Sequence, residues 1–566
     1  MVTVVGPVSD TERSGRVPGG RARSAVRIRG GFNLPGLWGA LVFACLSFTP
    51  SLVPRSGLVQ GLVCGITAAI GYALAVGGAS VWRAFPDRPP RPARRRSWRV
   101  FQVAAAVLLA VSFGLGQYWQ HELRLAMGVT AYSIPLVIAS PVVAALVFVL
   151  LVLAGRGLRW CYRHLAHGLR RWIGHRAADV TGWIAVAVVA YLVVSGLLLS
   201  GAIVLANGVL APRDTTTADG IGRPTTALRS GGAGSLVPWD SLGRQGRSFT
   251  GTGPSARDIE ELLRAPALEP VRAYAGLASA PDAEDRAALA VADLDRAGGF
   301  GRKNLLIVTT TGTGWVNPAA VDTFEYMSAG DSAIVSMQYS YLPSWLSFLV
   351  DGAKAREAGR DLFDAVYEHW SQLPVGARPR LFVSGESLGT LGGETAFSGE
   401  RDLRNRTDGV VFAGPPNANT LFTAFRTGRD AGSPELQPVY KHGRTVRFTN
   451  DAGAGFPPVG QPWNDARVVY LMHTSDPIVW WSPELVLGEP SWIGEPGTEG
   501  LAGSRYLPFV TFWQVSADMI FATSVPDGHG HTYRAEYVDA WNAVLQPRGI
   551  TSGDLAALRS KAAATP

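Results

Sequence analysis

The sequence predicts two structural units: an all-α transmembrane bundle of about five helices, and then an α/β domain with a mostly parallel sheet and helices on both faces. Long apolar segments occur only within residues 1–208, and beyond them short apolar stretches alternate with helical ones. Charge divides at the same place, with 21 basic and 5 acidic residues before position 208 and 31 basic and 39 acidic residues after it. A chain of 566 residues is also long for a single ordinary domain.

Five apolar segments are long enough to cross about 30 Å of hydrocarbon. They show little amphipathic periodicity, which argues against helices buried in a soluble core. The first segment starts late and is followed at once by another, so it does not resemble a cleavable signal peptide. The predicted spans are residues 34–54, 57–81, 100–119, 132–154 and 182–208.

The arginines predict the orientation of these spans. The N-terminal tail, the second connection and the fourth connection carry six, seven and six arginines, whereas the first and third carry only Arg55 and Arg124. Because positive loops stay in the cytoplasm, the N-terminus is expected inside and everything beyond residue 208 outside a cell membrane. The positive charge lies between apolar segments, so it indicates a membrane and not a nucleic-acid partner. The fourth connection could also be a basic amphipathic helix on anionic lipid.

The predicted domain plan follows these boundaries. Residues 1–31 form a basic cytoplasmic tail, and residues 32–208 form the transmembrane domain. Residues 209–255 are rich in Gly, Ser, Thr and Pro and are expected to be a linker. Residues 256–566 contain short, continuous apolar strands separated by helices, which is typical of a parallel sheet covered on both faces. All cysteines precede residue 208, so the second unit cannot use a thiol nucleophile.

A candidate nucleophile lies in the second unit. Gly385-Glu386-Ser387-Leu388-Gly389 matches the nucleophile-elbow pattern G-x-S-x-G, in which a serine sits on a sharp strand-to-helix turn, the elbow. In a chain with 66 glycines the pattern alone is weak. Its context is favourable, because residues 380–384 predict a strand and residues 388–397 predict a helix that packs closely. The two glycines would let a strained turn lift the Ser387 hydroxyl above the sheet edge.

Such a serine needs a base and an acid, which in this arrangement follow it in the order acid, then histidine. Asp476 lies in a loop after the predicted strand 467–472, and His529 and His531 lie in a later glycine-rich loop. Weaker candidates for the acid are Asp451, Asp465 and Asp518. Both histidines remain candidates for the base, with His531 favoured because it leads directly into a predicted helix. His473 is too close to Asp476 to come from a separate loop. No HExxH motif or carboxylate cluster supports a metal, and no cofactor is expected.

Two further groups of residues complete the predicted site. Backbone N–H groups that would stabilise an oxyanion are those of Leu388, Thr311, Gly312 and Thr313. The glycine-rich loop lacks the lysine of a phosphate-binding loop. Aromatic side chains that are expected to line an acyl pocket, or else to lie in the core or at the bilayer interface, are Tyr341, Trp345, Trp480 and Trp481.

These motifs together resemble a known family. Residues 311–315, 338–345, 385–389, 475–481 and 528–531 look like those of a bacterial, actinobacterial-type membrane-anchored α/β-hydrolase family, with a multi-span N-terminal region and a C-terminal hydrolase domain. The resemblance implies a Ser–Asp–His triad on Ser387, Asp476 and the His529/His531 loop. One departure from the general fold is that no clear strand lies between Asp476 and that loop, since residues 509–521 could be strand or helix.

The sequence therefore predicts a membrane-anchored serine hydrolase of esterase or lipase type. Its expected substrate is a lipid or envelope-linked ester, cleaved through an acyl-enzyme intermediate. Two alternatives remain: an acyltransferase that uses the same triad, and a non-catalytic membrane transport or scaffold protein.

Overall fold

The computed structural model describes residues 31–565 apart from several internal segments. The segments outside the description are 86–92, 130–133, 193–207, 209–211, 343–346, 348–349, 450–455, 457–460 and 496–503. The basic tail up to residue 30 also lies outside the described residues.

The N-terminal region is helical. Its described helices are α1 (Leu34–Leu46), α2 (Gly57–Ala84), α3 (Arg95–Ala126), α4 (Ile134–Leu169) and α5 (His175–Leu192). Three of them, α2, α3 and α4, are long and apolar enough to cross a membrane. The fifth predicted span, 182–208, lies only partly within the described residues, in which α5 covers its part up to Leu192.

The first predicted span differs from the structure at its end. Helix α1 has 13 residues, so it is about 20 Å long and shorter than the hydrocarbon core. Residues 47–56 form a non-helical connection to α2. Pro50 and Pro54 lie in this stretch, and proline cannot donate the backbone hydrogen bond that would continue a helix. The apolar character of residues 47–54 has another cause, because they contact the α/β domain.

The second unit is built on a seven-stranded parallel sheet with strand order β1-β3-β2-β4-β5-β7-β6. Helices cover both faces, so the predicted α/β class is confirmed. The strands are β1 (Val271–Ala275), β2 (Asn304–Thr309), β3 (Ser332–Met337), β4 (Arg380–Glu386), β5 (Gly409–Ala413), β6 (Val446–Thr449) and β7 (Arg467–Leu471). The helices are α6 (Gly243–Gly251), α7 (Ala256–Leu263), α8 (Ala283–Arg296), α9 (Pro318–Met327), α10 (Gly352–Gln372), α11 (Leu388–Thr395), α12 (Glu400–Arg406), α13 (Thr420–Thr427), α14 (Pro477–Trp480), α15 (Val510–Asp518), α16 (Glu536–Leu545) and α17 (Ser552–Ala563).

Alternate residues of each strand pack into two separate cores. Leu305 and Ile307 of β2 join the core beneath α8 and α10, whereas Leu306 and Val308 join the core beneath α9 and α16. Because both faces are covered, every residue of β2 is buried. This explains why the strands read as continuous apolar runs in the sequence. The carboxyl ends of the strands, with the loops that follow them, form one edge of the sheet.

The stretch predicted to be a linker packs on the α/β domain. The Arg272 N–H donates to Leu228 O at 3.0 Å, and the Ser230 N–H donates to Arg272 O at 2.9 Å. Val237 and Leu242 are fully buried in the core that includes α9 and α16. These few apolar anchors are outnumbered by Gly, Ser and Thr, which is why composition alone suggests a flexible segment.

Candidate active site

Ser387 lies on a tight turn between the end of β4 and the start of α11. Its backbone has φ +55° and ψ −124°, a conformation that non-glycine residues rarely adopt. A Cβ on Gly385 would lie 2.5 Å from the carbonyl group of Gly389, and a Cβ on Gly389 would lie 2.2 Å from Thr309 O. Both glycines are therefore required by close backbone contacts. The turn holds Ser387, which is 6% exposed, at the carboxyl end of a central strand.

Leu388 is the first residue of α11, where a backbone N–H has no acceptor within its own helix. The positive end of the helix dipole lies at the same place and favours negative charge there. The turn thus joins a serine hydroxyl to an amide suited to an anion.

Asp476 follows β7 and is completely buried. Its Oδ1 accepts from the Ile478 N–H at 2.8 Å, which fixes the carboxylate at the start of the short helix α14. Its Oδ2 accepts from two side chains, His531 Nδ1 at 2.7 Å and the Tyr533 hydroxyl at 2.7 Å. Since a carboxylate only accepts, the His531 Nδ1 carries the proton.

His531 is buried and faces the same cavity as Ser387. Burial lowers the pKa of His531. The charge and hydrogen bond of Asp476, together with the charge of Glu386, raise it by more than burial lowers it, so the net pKa lies above the ordinary value. Its Nε2 is buried and has no hydrogen-bond partner among the residues that the structure describes. Because Nδ1 is protonated, the neutral ring presents a lone pair at Nε2.

The structure separates the two candidate histidines. His529 is half-buried, and its backbone N–H donates to Pro526 O at 3.2 Å. The described residues that line the cavity include His531 but not His529. His531 is thus the histidine that contacts Asp476.

The cavity has a volume of about 300 Å³ and mixed polar and apolar walls. Thr311 and Thr313 of the predicted oxyanion loop line it together with Ser387. Within that loop the Thr311 N–H donates to Trp315 O at 3.0 Å. Gly312 lies against Ser347, since a Cβ added to Gly312 would be 2.4 Å from Ser347 Cβ. The remaining described lining residues are Trp315, Asn317, Glu386, Thr523, Thr532, Tyr533, Arg534 and Thr565.

The predicted aromatic pocket is not assembled at this cavity. Trp480 is 1% exposed and packs against Trp492, with ring centroids 5.3 Å apart. Trp481 donates from Nε1 to Ser516 Oγ at 2.8 Å. Neither tryptophan nor Tyr341 lines the cavity, and Trp345 lies outside the described residues. The two tryptophans belong to the core, as one of the alternatives expected.

Sequence reasoning missed several groups that contact the candidate triad and its neighbours. The buried Glu386 carboxylate accepts from Asn317 Nδ2 at 2.6 Å and from the Tyr537 hydroxyl at 2.9 Å. Burial raises the pKa of Glu386, which the charge of His531 and these hydrogen bonds only partly offset. Glu386 is part of the elbow motif and so had a local signal. Asn317 and Tyr537 come from distant segments and had none.

His473 has a supporting role beside the histidine loop. Its Nδ1 contacts Gly530 O at 2.9 Å, and its Nε2 contacts Glu536 Oε1 at 3.1 Å. Burial lowers the pKa of His473, but the hydrogen bond and charge of Glu536 raise it more, so the net pKa lies above the ordinary value. Both ring nitrogens face acceptor oxygens, which is the geometry that suits the doubly protonated ring. The ring also stacks on Tyr533 at 4.1 Å. Among the described residues no group of three His, Cys, Asp or Glu side chains could hold a metal ion.

Comparison with known proteins identifies the family to which the chain belongs. A profile described as an alpha/beta-hydrolase family matches residues 271–558, and one described as the N-terminus of that family matches residues 48–254. No curated protein and no solved structure matches the chain. The first profile covers the sheet, the elbow and the loops that carry Asp476 and His531, which is more than half of the sequence. The chain belongs to this α/β-hydrolase family.

Proposed function

We propose that the protein is a membrane-anchored serine hydrolase that cleaves a lipid or envelope-linked carboxylic ester. One observation carries the proposal. His531 binds Asp476 through Nδ1 at 2.7 Å and keeps a buried, unpartnered Nε2 among the described residues, in the cavity that Ser387 also lines. This is the arrangement that a serine nucleophile needs for activation by a general base.

In the acylation step, the Ser387 hydroxyl gives its proton to His531 Nε2 while Oγ attacks the ester carbonyl carbon. The carbonyl electron pair moves to oxygen and forms a tetrahedral oxyanion. When the carbonyl re-forms, the bond to the leaving oxygen breaks and His531 donates its proton to that oxygen. Asp476 stays ionised throughout, stabilises the imidazolium and holds the ring in one orientation.

In the deacylation step, water takes the place of the departed alcohol. His531 removes a proton from the water, which attacks the acyl carbon of the Ser387 ester. The second tetrahedral species collapses, the bond to Oγ breaks, and the proton returns to Ser387. An acyltransferase would differ only in admitting an alcohol acceptor at this step.

Two backbone amides are proposed to stabilise the oxyanion. The first is the Leu388 N–H at the start of α11. The second comes from the loop after β2, where Gly312 and Thr313 are the better donors because the Thr311 N–H already donates to Trp315 O. Removal of one such donor typically costs about 10²–10³ in kcat.

The contacts between the α/β domain and the ends of the membrane helices support a location outside the cytoplasm. The domain contacts the α1–α2 connection, which carries Arg55, and the end of α3, which carries Arg124. These are the arginine-poor sides of the bundle, and arginine-poor loops lie outside the cytoplasm. We therefore place the catalytic domain on the outer face of the cell membrane, next to lipid and envelope esters.

A covalent probe tests the proposal. Full-length protein in detergent should be labelled at Ser387 by a fluorophosphonate, and Ser387→Ala should abolish both labelling and ester turnover. Ser371→Ala, which changes an exposed serine on α10, is the matched control and should retain both. Labelling that persists in Ser387→Ala would refute the assignment. Product analysis with an added alcohol separates hydrolysis from acyl transfer.

A further inference from the structure

The connection between the first two helices of the membrane region is packed into the α/β domain. Gln514 of α15 donates from Nε2 to Thr49 O at 2.9 Å. The Asp518 carboxylate, at the end of the same helix, accepts from the Ser51 hydroxyl and from the Leu52 N–H at 2.9 Å. Leu52 is 1% exposed and belongs to the main core of the α/β domain. The connection is therefore part of that domain's interior.

A buried ion pair lies at the centre of this contact. Arg55 Nε is 3.0 Å from Asp518 Oδ1, and the two side chains are 1% and 0% exposed. Asp518 is the one acidic group within ion-pair distance of Arg55 among the described residues. The backbone of Arg55 is held by α3, since its N–H donates to Gln120 Oε1 at 3.0 Å and its carbonyl accepts from Arg124 at 2.8 Å. The pair thus connects α15 to the ends of two helices of the membrane region.

The chain that leaves Asp518 leads directly to the candidate base. Ala522 O accepts from the His531 N–H at 2.7 Å. Gly530 also lies against this segment, because a Cβ there would be 2.5 Å from Ala522 O. Val525 is buried in a cluster whose members from the membrane region are Val53, Leu123 and Met127. The loop that carries His531 therefore rests on segments attached to the membrane helices.

We propose that Arg55 and Asp518 are positioning residues for His531, so that the membrane region forms a structural part of the active site. This inference rests on the proposed function. The ion pair fixes the end of α15, and the segment 519–531 then holds the imidazole within reach of Ser387. A segment that only tethers the domain to the membrane would need no buried charges. A buried ion pair makes any other arrangement of the two segments unfavourable, because separating the pair would leave an unpaired buried charge.

The experiment measures kcat and KM of full-length protein in nanodiscs with a short, soluble p-nitrophenyl ester. Asp518→Asn should lower kcat about ten- to a hundredfold with KM nearly unchanged, because displacement of a catalytic group costs rate and not substrate affinity. The double variant Arg55→Met with Asp518→Asn removes both charges, keeps a side-chain oxygen that can accept from Ser51 and Leu52, and should recover most of that loss. Asp364→Asn breaks the partly exposed Arg406 pair on α10 and should match the wild type.

Each outcome decides a separate question. If wild-type protein is not labelled at Ser387, the proposed function fails. If the wild type is labelled and Asp518→Asn keeps the wild-type kcat, the positioning role alone is refuted. If Asp518→Asn does not fold, Arg55→Lys provides the test, since it keeps the charge but shortens the reach: an unchanged kcat in that folded variant also refutes the role. Failure of the double variant to recover kcat relative to Asp518→Asn refutes the coupling between the two charges.

Discussion

Two members of the candidate triad, Ser387 and His531, are positioned in different ways. Ser387 is held by its immediate neighbours, because Gly385 and Gly389 allow backbone contacts that fix the turn. His531 is held by residues that are distant in sequence, including Asp476, which is 55 positions away. The position of the candidate nucleophile is therefore set locally by one strand and one helix, and that of the candidate base is set by tertiary packing. Substitutions next to Ser387 in the sequence should accordingly disturb its position, whereas the position of His531 should be sensitive to substitutions far away in the sequence.

The largest expected effect separates the two histidines. His531→Ala should lower kcat by about 10⁴-fold or more, because it removes the imidazole that contacts Asp476 and lines the cavity. His529→Ala should cost at most about ten- to a hundredfold, through lost positioning. Steady-state kinetics with KM measured in parallel would check this. A dead His529→Ala enzyme beside an active His531→Ala enzyme would reverse the assignment, and two active variants would refute the triad.

The next effect tests the local fit of the elbow. Gly389→Ala should destabilise the protein by about 1–3 kcal/mol and reduce labelling of Ser387, because the new methyl group would meet the backbone carbonyl of Thr309 at 2.2 Å. Thermal unfolding and labelling rates measure the two effects.

Gly399→Ala is the matched control, since no atom lies within 4 Å of a Cβ at that position. An elbow that tolerates Gly389→Ala without loss of stability would contradict the local account of how Ser387 is positioned.

The contact between His473 and Glu536 should make the free energy of unfolding depend on pH. The raised pKa of His473 means that its stabilising contribution is present below about pH 6.5 and is lost as pH rises through the folded pKa. The lowered pKa of Glu536 means that its contribution is present above about pH 4.5 and is lost as pH falls through its folded pKa. Glu536→Gln should therefore lower the free energy of unfolding by about 1–3 kcal/mol, most strongly at pH 5–6.5.

Denaturant unfolding across pH 4–9 measures this difference. The gap between wild type and Glu536→Gln should narrow at both ends of the range. A gap that stays constant with pH would show that His473 and Glu536 do not act as a charged pair.

The smallest expected effect concerns Tyr533, which donates to Asp476 Oδ2 beside His531. Tyr533→Phe removes the hydroxyl that donates to Oδ2 at 2.7 Å, and should lower kcat about tenfold, which corresponds to ~1.4 kcal/mol. Tyr341→Phe should leave kcat unchanged, because Tyr341 does not line the cavity. Equal effects of the two substitutions would mean that the Tyr533 hydrogen bond does not support the base.

The same contrast explains what the sequence could predict. The strands and the elbow were predictable because their signals are local: continuous apolar runs, and two glycines around a serine. The end of α1 was missed because apolar residues such as Leu52 are as suited to a protein core as to a bilayer. Trp480 was a pocket candidate because a sequence does not reveal which face of a short helix meets the core. Tyr533 and Glu536 gave no signal, since their partners are distant along the chain.

The contact between Ser51 and Asp518 joins positions that are 467 residues apart. During biosynthesis the first helical hairpin leaves the ribosome long before α15 does. The contact between the connection and α15 is completed only after almost the whole chain has been made and, on the proposed topology, both segments lie on the same side of the bilayer. Contacts of such long range form late in folding because a large loop must close first. On the proposed function and topology, the protein would gain activity only at the end of assembly, after insertion, and nascent or mis-inserted chains would carry Ser387 without a positioned His531.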